Sequence, residues 1–167
     1  SFWLNLNDKK TNVIFGEKFT LLKGPGFYDC QDGGITYEVG PQTFVQVNEN
    51  VRTKLYERAL SYADERDAVI DCYAGGGLLT AKFAKKCRKA YGIEIVPEAH
   101  DCAEKLRTGN AFEDKMYNLC GRVEDLLPSV LEKEPDAMVV LDPPRAGVAR
   151  SVLDLLIEKK IRKIVMI

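Results

Sequence analysis

From Asn48 onward, short apolar runs alternate with amphipathic stretches, and this alternation limits the fold more than any other feature of the chain. Residues 68–72, 90–94, 115–119, 137–141 and 163–167 have the length and apolar content of strands buried on both faces. Between them, residues 78–86, 97–106, 124–131 and 151–159 repeat apolar positions at helical spacing, and Pro97 suits the first turn of the second helix. Asn48 is placed to cap a further helix that carries Val51, Leu55, Ala59 and Tyr62 on one face. Regular β–α alternation predicts a parallel, doubly wound α/β sheet, because parallel neighbours need a crossover that covers the sheet.

The segment before Asn48 has another character. Val13-Ile14-Phe15, Phe19-Thr20-Leu21-Leu22 and Ile35-Thr36-Tyr37-Glu38-Val39 read as short strands. Asn7-Asp8, Gly24-Pro25-Gly26 and Asp32-Gly33-Gly34 punctuate them as turns. The expected organisation is a short antiparallel β region over residues 1–47, followed by the α/β domain over residues 48–167. The abrupt start and the bare apolar ending Ile164-Val165-Met166-Ile167 predict a piece of a longer protein, its sheet truncated after the fifth strand.

Composition removes several function classes. A formal net charge of −1 gives no global pull toward nucleic acid and leaves room only for a local basic face. No apolar stretch nears the roughly 20 residues that span a bilayer, so no membrane role is expected. The five cysteines are odd in number and none forms a C-x-x-C pair, which predicts neither a disulfide framework nor a zinc site and favours a reducing cytoplasm. The single His100 lacks obvious co-ligands, so no metal is expected.

Four constellations carry chemistry. Asp71-Cys72-Tyr73-Ala74-Gly75-Gly76-Gly77 follows a strand and opens a helix, where glycines let the backbone approach a ligand closely. Glu94 ends the next strand, placed to accept from both hydroxyls of a ribose. Leu141-Asp142-Pro143-Pro144-Arg145 ends a strand in a carboxylate that two prolines hold stiffly at the carboxyl edge of the sheet. In Phe44-Val45-Gln46-Val47-Asn48, an extended backbone would put Phe44, Gln46 and Asn48 on one side, and Gln46 offers both a donor and an acceptor to a base edge. A nicotinamide dinucleotide would want a small residue where Thr80 stands, whereas S-adenosylmethionine has no phosphates and no such requirement. S-adenosylmethionine is therefore the expected cofactor. Arg145 and Arg150 are candidates for an RNA backbone, while Lys82, Lys85, Lys86, Arg88 and Lys89 read as a solvated helix end.

These motifs, in this order, resemble those of the RNA uracil-5-methyltransferases, which form 5-methyluridine in ribosomal or transfer RNA. Phe44-Val45-Gln46-Val47-Asn48 is similar to the family's F-x-Q-x-N, Asp71 to Gly77 to its D-x-[YF]-C-G-x-G loop, Tyr91-Gly92-Ile93-Glu94 to its ribose strand, and Leu141 to Gly147 to its D-P-P-R-x-G loop. Ala74 stands where the family often has Cys, and Leu78 where several members have Asn. The resemblance implies a Rossmann-like class I methyltransferase sheet. It implies that Gln46, Tyr73, Gly75, Glu94 and Asp142 bind or flank S-adenosylmethionine, and that Gln46, Asp142 and Arg145 meet RNA, ribosomal ahead of transfer RNA. No obligate protein partner is implied.

In the family, a cysteine thiolate adds to carbon 6 of a flipped uracil, carbon 5 takes the methyl group, and a glutamate removes the carbon 5 proton. That cysteine lies in an S-C-[DN]-P segment directly after the strand that here ends at Ile167, and the glutamate lies further on. None of the five cysteines matches it, so no catalytic residue is assigned and the 167 residues alone are expected to be inactive. Cys72, Cys87 and Cys120 are expected to pack as small apolar groups. Many members also carry an N-terminal RNA-binding or iron–sulfur domain, which has no counterpart in this sequence. The alternatives are an amino-methyltransferase acting on adenine or a protein amide, against which Arg145 replaces the stacking aromatic, and a non-catalytic RNA-binding module.

Overall fold

The computed structural model describes residues 1–8, 15–16, 18–46 and 48–167. Val13, Ile14 and Val47 of the predicted motifs lie outside them. The elements run β1 (Phe2–Leu6), β2 (Lys18–Lys23), β3 (Tyr28–Asp32), β4 (Ile35–Val39), α1 (Glu49–Leu60), β5 (Ala68–Cys72), α2 (Leu78–Lys86), β6 (Lys89–Glu94), α3 (Pro97–Gly109), β7 (Met116–Cys120), α4 (Val123–Lys133), β8 (Met138–Leu141), α5 (Arg150–Glu158) and β9 (Ile164–Met166).

The last five strands form one parallel sheet in the order β7-β6-β5-β8-β9. The chain winds outward from β5 to β7, then returns to β8 on the other side, so the order reverses between β5 and β8. Ligands bind in the crevice that such a reversal opens at the carboxyl ends of the strands. Strand alternation sends Val69, Ala90, Met116, Met138 and Val140 to one face, against Ala59 of α1, Phe83 of α2 and Leu106 of α3. Ile70, Cys72, Ile93, Val139 and Leu141 go to the other face, against Leu127 of α4 and Leu156 of α5. The β5, β6 and β8 runs are almost wholly buried, which is why their sequences are continuous apolar stretches rather than alternating ones.

β1–β2 and β3–β4 are two separate antiparallel hairpins. Neither β1 nor β3 was expected from the sequence. Both are mostly exposed, and Asp29 and Gln31 of β3 give no apolar signal. The β3–β4 hairpin is bound into the α/β layer. Ile35 and Tyr37 are buried in the same core as Phe83, Glu38 pairs with Lys105 of α3 at 2.6 Å, and Asn110 exchanges two hydrogen bonds with the backbone of Thr36.

Asn48 caps α1 as expected, its side chain accepting from the Val51 N–H at 3.1 Å. The predicted face of α1 is corrected. Val51 and Tyr62 are exposed, and the inward residues are Arg52 and Ala59, with Tyr56, Leu60 and Ala63 packed beside them. The helix turns this way because Asp32 draws the Arg52 guanidinium inside, at 3.0 Å. The lysine run is also not a plainly solvated helix end. Lys82 pairs with Asp32, Lys85 donates to the Gly33 carbonyl, Lys86 donates to the Leu60 carbonyl, and Arg88 and Lys89 share Glu134. Cys72 and Cys87 pack in the core as expected, but Cys120 is exposed, because it ends an edge strand of the sheet.

Candidate functional site

The site is built from three strand exits. Past Cys72, the chain turns under the sheet edge with Tyr73 at φ 69°, Gly75 at φ 56° and Gly77 at φ 81°. A left-handed tyrosine costs roughly 1 kcal/mol or more, so the surroundings must hold it. They do so through the Ile93 carbonyl, which accepts from both the Tyr73 and Ala74 N–H groups at 3.0 Å. The glycines divide the work. A Cβ on Gly77 would lie 2.7 Å from Ala103, so this glycine lets α2 close on α3. A Cβ on Gly76 would lie 2.9 Å from the Thr43 methyl group, so this glycine lets the segment before α1 lie against the turn. A Cβ on Gly75 would meet nothing within 4 Å, and that is the open side of the turn.

Glu94 ties the second exit to the first. Its Oε2 accepts from the Gly75 N–H at 2.8 Å and its Oε1 from the Val96 N–H at 2.7 Å. Its own carbonyl accepts from the Gly121 N–H at 2.8 Å, which fastens the exit of β7 as well. Each carboxylate oxygen keeps a second lone pair, so both can still accept from a ligand's hydroxyls.

The third exit is Asp142 to Arg145. The Asp142 N–H points to the Cys72 carbonyl at 3.4 Å, so the carboxylate stands beside the glycine turn at the reversal point. Burial pushes the Asp142 carboxyl above its ordinary range. Gly147, at φ 81°, closes a turn onto the Pro144 carbonyl at 2.8 Å and leaves Arg145 exposed at its tip. Arg150 is also exposed, but it is paired with Asp154 at 2.8 Å.

Gln46 approaches the glycine turn from the segment ahead of α1. It lines a small pocket with Phe44, Arg52, Tyr56, Ala74 and Gly76. Tyr56 connects this pocket to the acids, since burial and then the Asp71 and Asp142 carboxylates push its phenol well up. Asp71 is fully buried and accepts a 2.6 Å hydrogen bond from the Thr80 hydroxyl. Burial, with Asp142 and Glu94 adding to it, lifts Asp71 to about 7. Gln46 thus shares a small pocket with Ala74 and Gly76 of the glycine turn, Glu94 is bonded to Gly75, and the Asp142 and Glu94 carboxylates lie close enough to Asp71 to raise it. Tyr73 contributes its strained backbone, while its ring packs toward α5 and meets the Ala149 backbone. Arg52, Tyr56 and Asp71 were not assigned from the sequence. Tyr56 follows Asn48 by two helical turns, which was the available signal; the burial of Arg52 had none. Among the described residues, no group of three or more His, Cys, Asp or Glu could hold a metal ion, and no helix is long and apolar enough to cross a membrane.

Known proteins are similar to this chain. An RNA methyltransferase of Oceanobacillus iheyensis is 39% identical over 98% of the chain, which spans 36% of that relative's length. The tRNA (uracil-54, C5)-methyltransferase of Pyrococcus abyssi, solved with S-adenosyl-L-homocysteine, superposes with a TM-score of 0.67 at 22% identity, over 98% of this chain and 40% of that one. The tRNA m1G37 methyltransferase of M. jannaschii superposes with a TM-score of 0.58 at 19% identity, over 85% of this chain and 42% of that one. At these identities the two structures establish a shared Rossmann-like methyltransferase fold. A family model described as RNA cap guanine-N2 methyltransferase matches residues 66–164, more than half of the sequence, and the chain belongs to that family of RNA methyltransferases.

Proposed function

We propose that the full-length protein uses S-adenosylmethionine to methylate carbon 5 of a uridine in structured RNA. The observation that carries this reading is that Gln46 lines a pocket against the glycine turn, that Glu94 accepts from the Gly75 N–H of that turn, and that Asp142 leaves the neighbouring strand bonded to Cys72. Glu94 takes the cofactor's ribose hydroxyls and Gly75 gives the cofactor room. Asp142, as a carboxylate, accepts from the imide N–H of a flipped uracil, and Gln46 pairs with its polar edge. Arg145, at the tip of the stiff turn, meets a phosphate. Support for the cofactor comes from the open ribose-facing carboxylate and from the fold shared with a structure solved with S-adenosyl-L-homocysteine.

The attacking thiolate is assigned outside these 167 residues. Cys72, Cys87 and Cys102 are buried, and burial pushes all three thiols up, away from the thiolate form that attack requires. Cys30 lies on the β3 hairpin and Cys120 at the sheet edge. Without that group, the chain by itself binds cofactor and does not turn over.

The family model supports a second reading, transfer to the exocyclic amine of guanine, in which Asp142 accepts from that amine. Incubating full-length protein with S-adenosylmethionine and unmodified ribosomal or transfer RNA, then digesting the RNA to nucleosides for mass spectrometry, separates the two. 5-Methyluridine, with release of tritium from uracil carbon 5, is the expected product. N2-Methylguanosine would replace the first reading with the second, and neither product would remove both.

A further inference from the structure

Lys82 and Lys85 reach from α2 to the turn between β3 and β4, and Lys86 reaches the end of α1. With Gly33, Ile35 and Leu60, the three lysines line an open pocket of about 250 Å³. Two glycines keep it uncovered. Gly33 and Gly34 stand at φ 58° and 77°, and a Cβ there would lie 3.3 Å from Lys82 Nζ and 3.8 Å from Lys85 Nζ.

The positive charge here is not cancelled. Lys82 shares Asp32 with Arg52, and Glu49, 3.9 Å from Arg52, is largely solvated. Lys85 donates to the Gly33 carbonyl at 3.1 Å and Lys86 to the Leu60 carbonyl at 2.7 Å, and neither makes an ion pair among the described residues. Other lysines bound to the fold end on acids: Lys105 on Glu38, Lys89 on Glu134 and Lys163 on Asp67. A carbonyl fixes an ammonium group in place without neutralising it. Each ammonium group has three donors, so Lys85 and Lys86 each keep two for a ligand. Side chains already held in place also lose less entropy on binding. Four cations thus share one buried acid and one solvated acid, in a chain whose net charge is −1. This is the local basic face that such a net charge still permits.

The pocket is open to solvent and carries charge at its mouth, since Lys85 and Lys86 are exposed. A chain of phosphates suits it, because successive phosphates can meet separate ammonium groups. The nine residues of α2 lead from this pocket to the glycine turn, a span of ~13 Å that one RNA strand can cover.

We propose that Lys85 and Lys86, with Lys82 behind them, bind the phosphate backbone of the substrate RNA, on a face separate from Arg145. This rests on RNA being the substrate and not on which base is methylated. Such contacts hold and orient the strand and carry no sequence information.

Fluorescence anisotropy tests it, with a labelled, unmodified ribosomal RNA hairpin titrated by full-length protein across a range of salt. The Lys85→Gln, Lys86→Gln double variant keeps a donor for each carbonyl and removes both charges. The expected result is RNA binding weaker by about 10-fold or more near ~0.1 M salt, with the slope of log affinity against log salt reduced by about 1 per lysine. A hairpin without uridine should lose as much, and S-adenosylhomocysteine affinity by calorimetry should not change. If the double variant folds poorly, Lys85→Gln alone should reduce the slope by about 1. Unchanged affinity and slope overturn the proposal. Weaker binding with an unchanged slope also overturns it, since that is the mark of a loosened hairpin rather than a lost phosphate contact. Saturable binding of inorganic phosphate that the double variant loses, with RNA binding intact, gives the pocket to a small anion instead. Wild-type protein that binds neither RNA removes the RNA reading itself.

Discussion

The two ends of the parallel sheet treat charge in opposite ways. At the amino ends of the strands, Glu134 and Asp67 each have a cation. Glu134 is held below its ordinary range by the Arg88 guanidinium at 2.6 Å, despite some burial. Asp67 is held down too, since Lys163 at 2.8 Å and the Asp64 backbone outweigh its burial. At the carboxyl ends, Asp71 and Asp142 have no cation among the described residues and both are pushed up, mainly by burial. The paired end ties strands together. At the unpaired end Asp71 is served by Thr80, while the half-buried Asp142 carboxylate stays costly, a state that a ligand with hydroxyls or N–H groups can relieve.

The sharpest way to break this contrast is Asp142→Asn. If Asp142 grips the base, methyl transfer by the full-length protein should fall by about 100-fold or more while cofactor affinity changes little. Activity within a few-fold of wild type would reduce Asp142 to a strand exit. Glu94→Ala comes next, with an expected loss of about 10- to 100-fold in S-adenosylhomocysteine affinity by titration, since it removes the ribose acceptor and frees the Gly75 and Val96 N–H groups. Unchanged affinity would remove Glu94 from the cofactor.

At the other end, Glu134→Gln should lower unfolding stability by ~1–2 kcal/mol, at the low end because Arg88 is half exposed, and leave cofactor binding alone. A binding defect there would show that the two ends are not independent. The smallest effect is a slope. Burial raises Asp71 to about 7 in the folded protein, so between the usual carboxylate range and neutrality the folded state holds a proton that the unfolded chain has released. Stability from this site therefore falls as pH rises from ~4 to ~7. In Asp71→Asn, urea midpoints measured across that window should fall less steeply, and an unaltered slope would mean that Asp71 is ionised throughout.

The α/β layer was legible because β5, β6 and β8 are buried on both faces and their helices carry apolar stripes. What stayed hidden depended on partners far away in the chain. No local pattern says that Arg52 is buried, since that follows from Asp32 on a hairpin whose own β3 looks polar. The same kind of distant contact turned Lys82 and Lys85 from a solvated face into fasteners for that hairpin, and Lys86 into one for the end of α1. In the candidate site, the glycine turn, the Asp142-Pro143-Pro144 strand exit and the Asn48 cap stood out in the sequence because backbone constraint leaves marks in composition, as glycine, proline and capping residues. Tyr56 leaves only its spacing from the Asn48 cap, and its nearness to Asp71 and Asp142 appears only once α1 is packed.

The contact between Gly76 and the Thr43 methyl group has a consequence for how such a chain can change over generations. A methyl added at position 76 has room only if position 43 gives one up. The two substitutions should be tolerated together more readily than either alone, so the turn and the segment ahead of it are inherited as a matched pair.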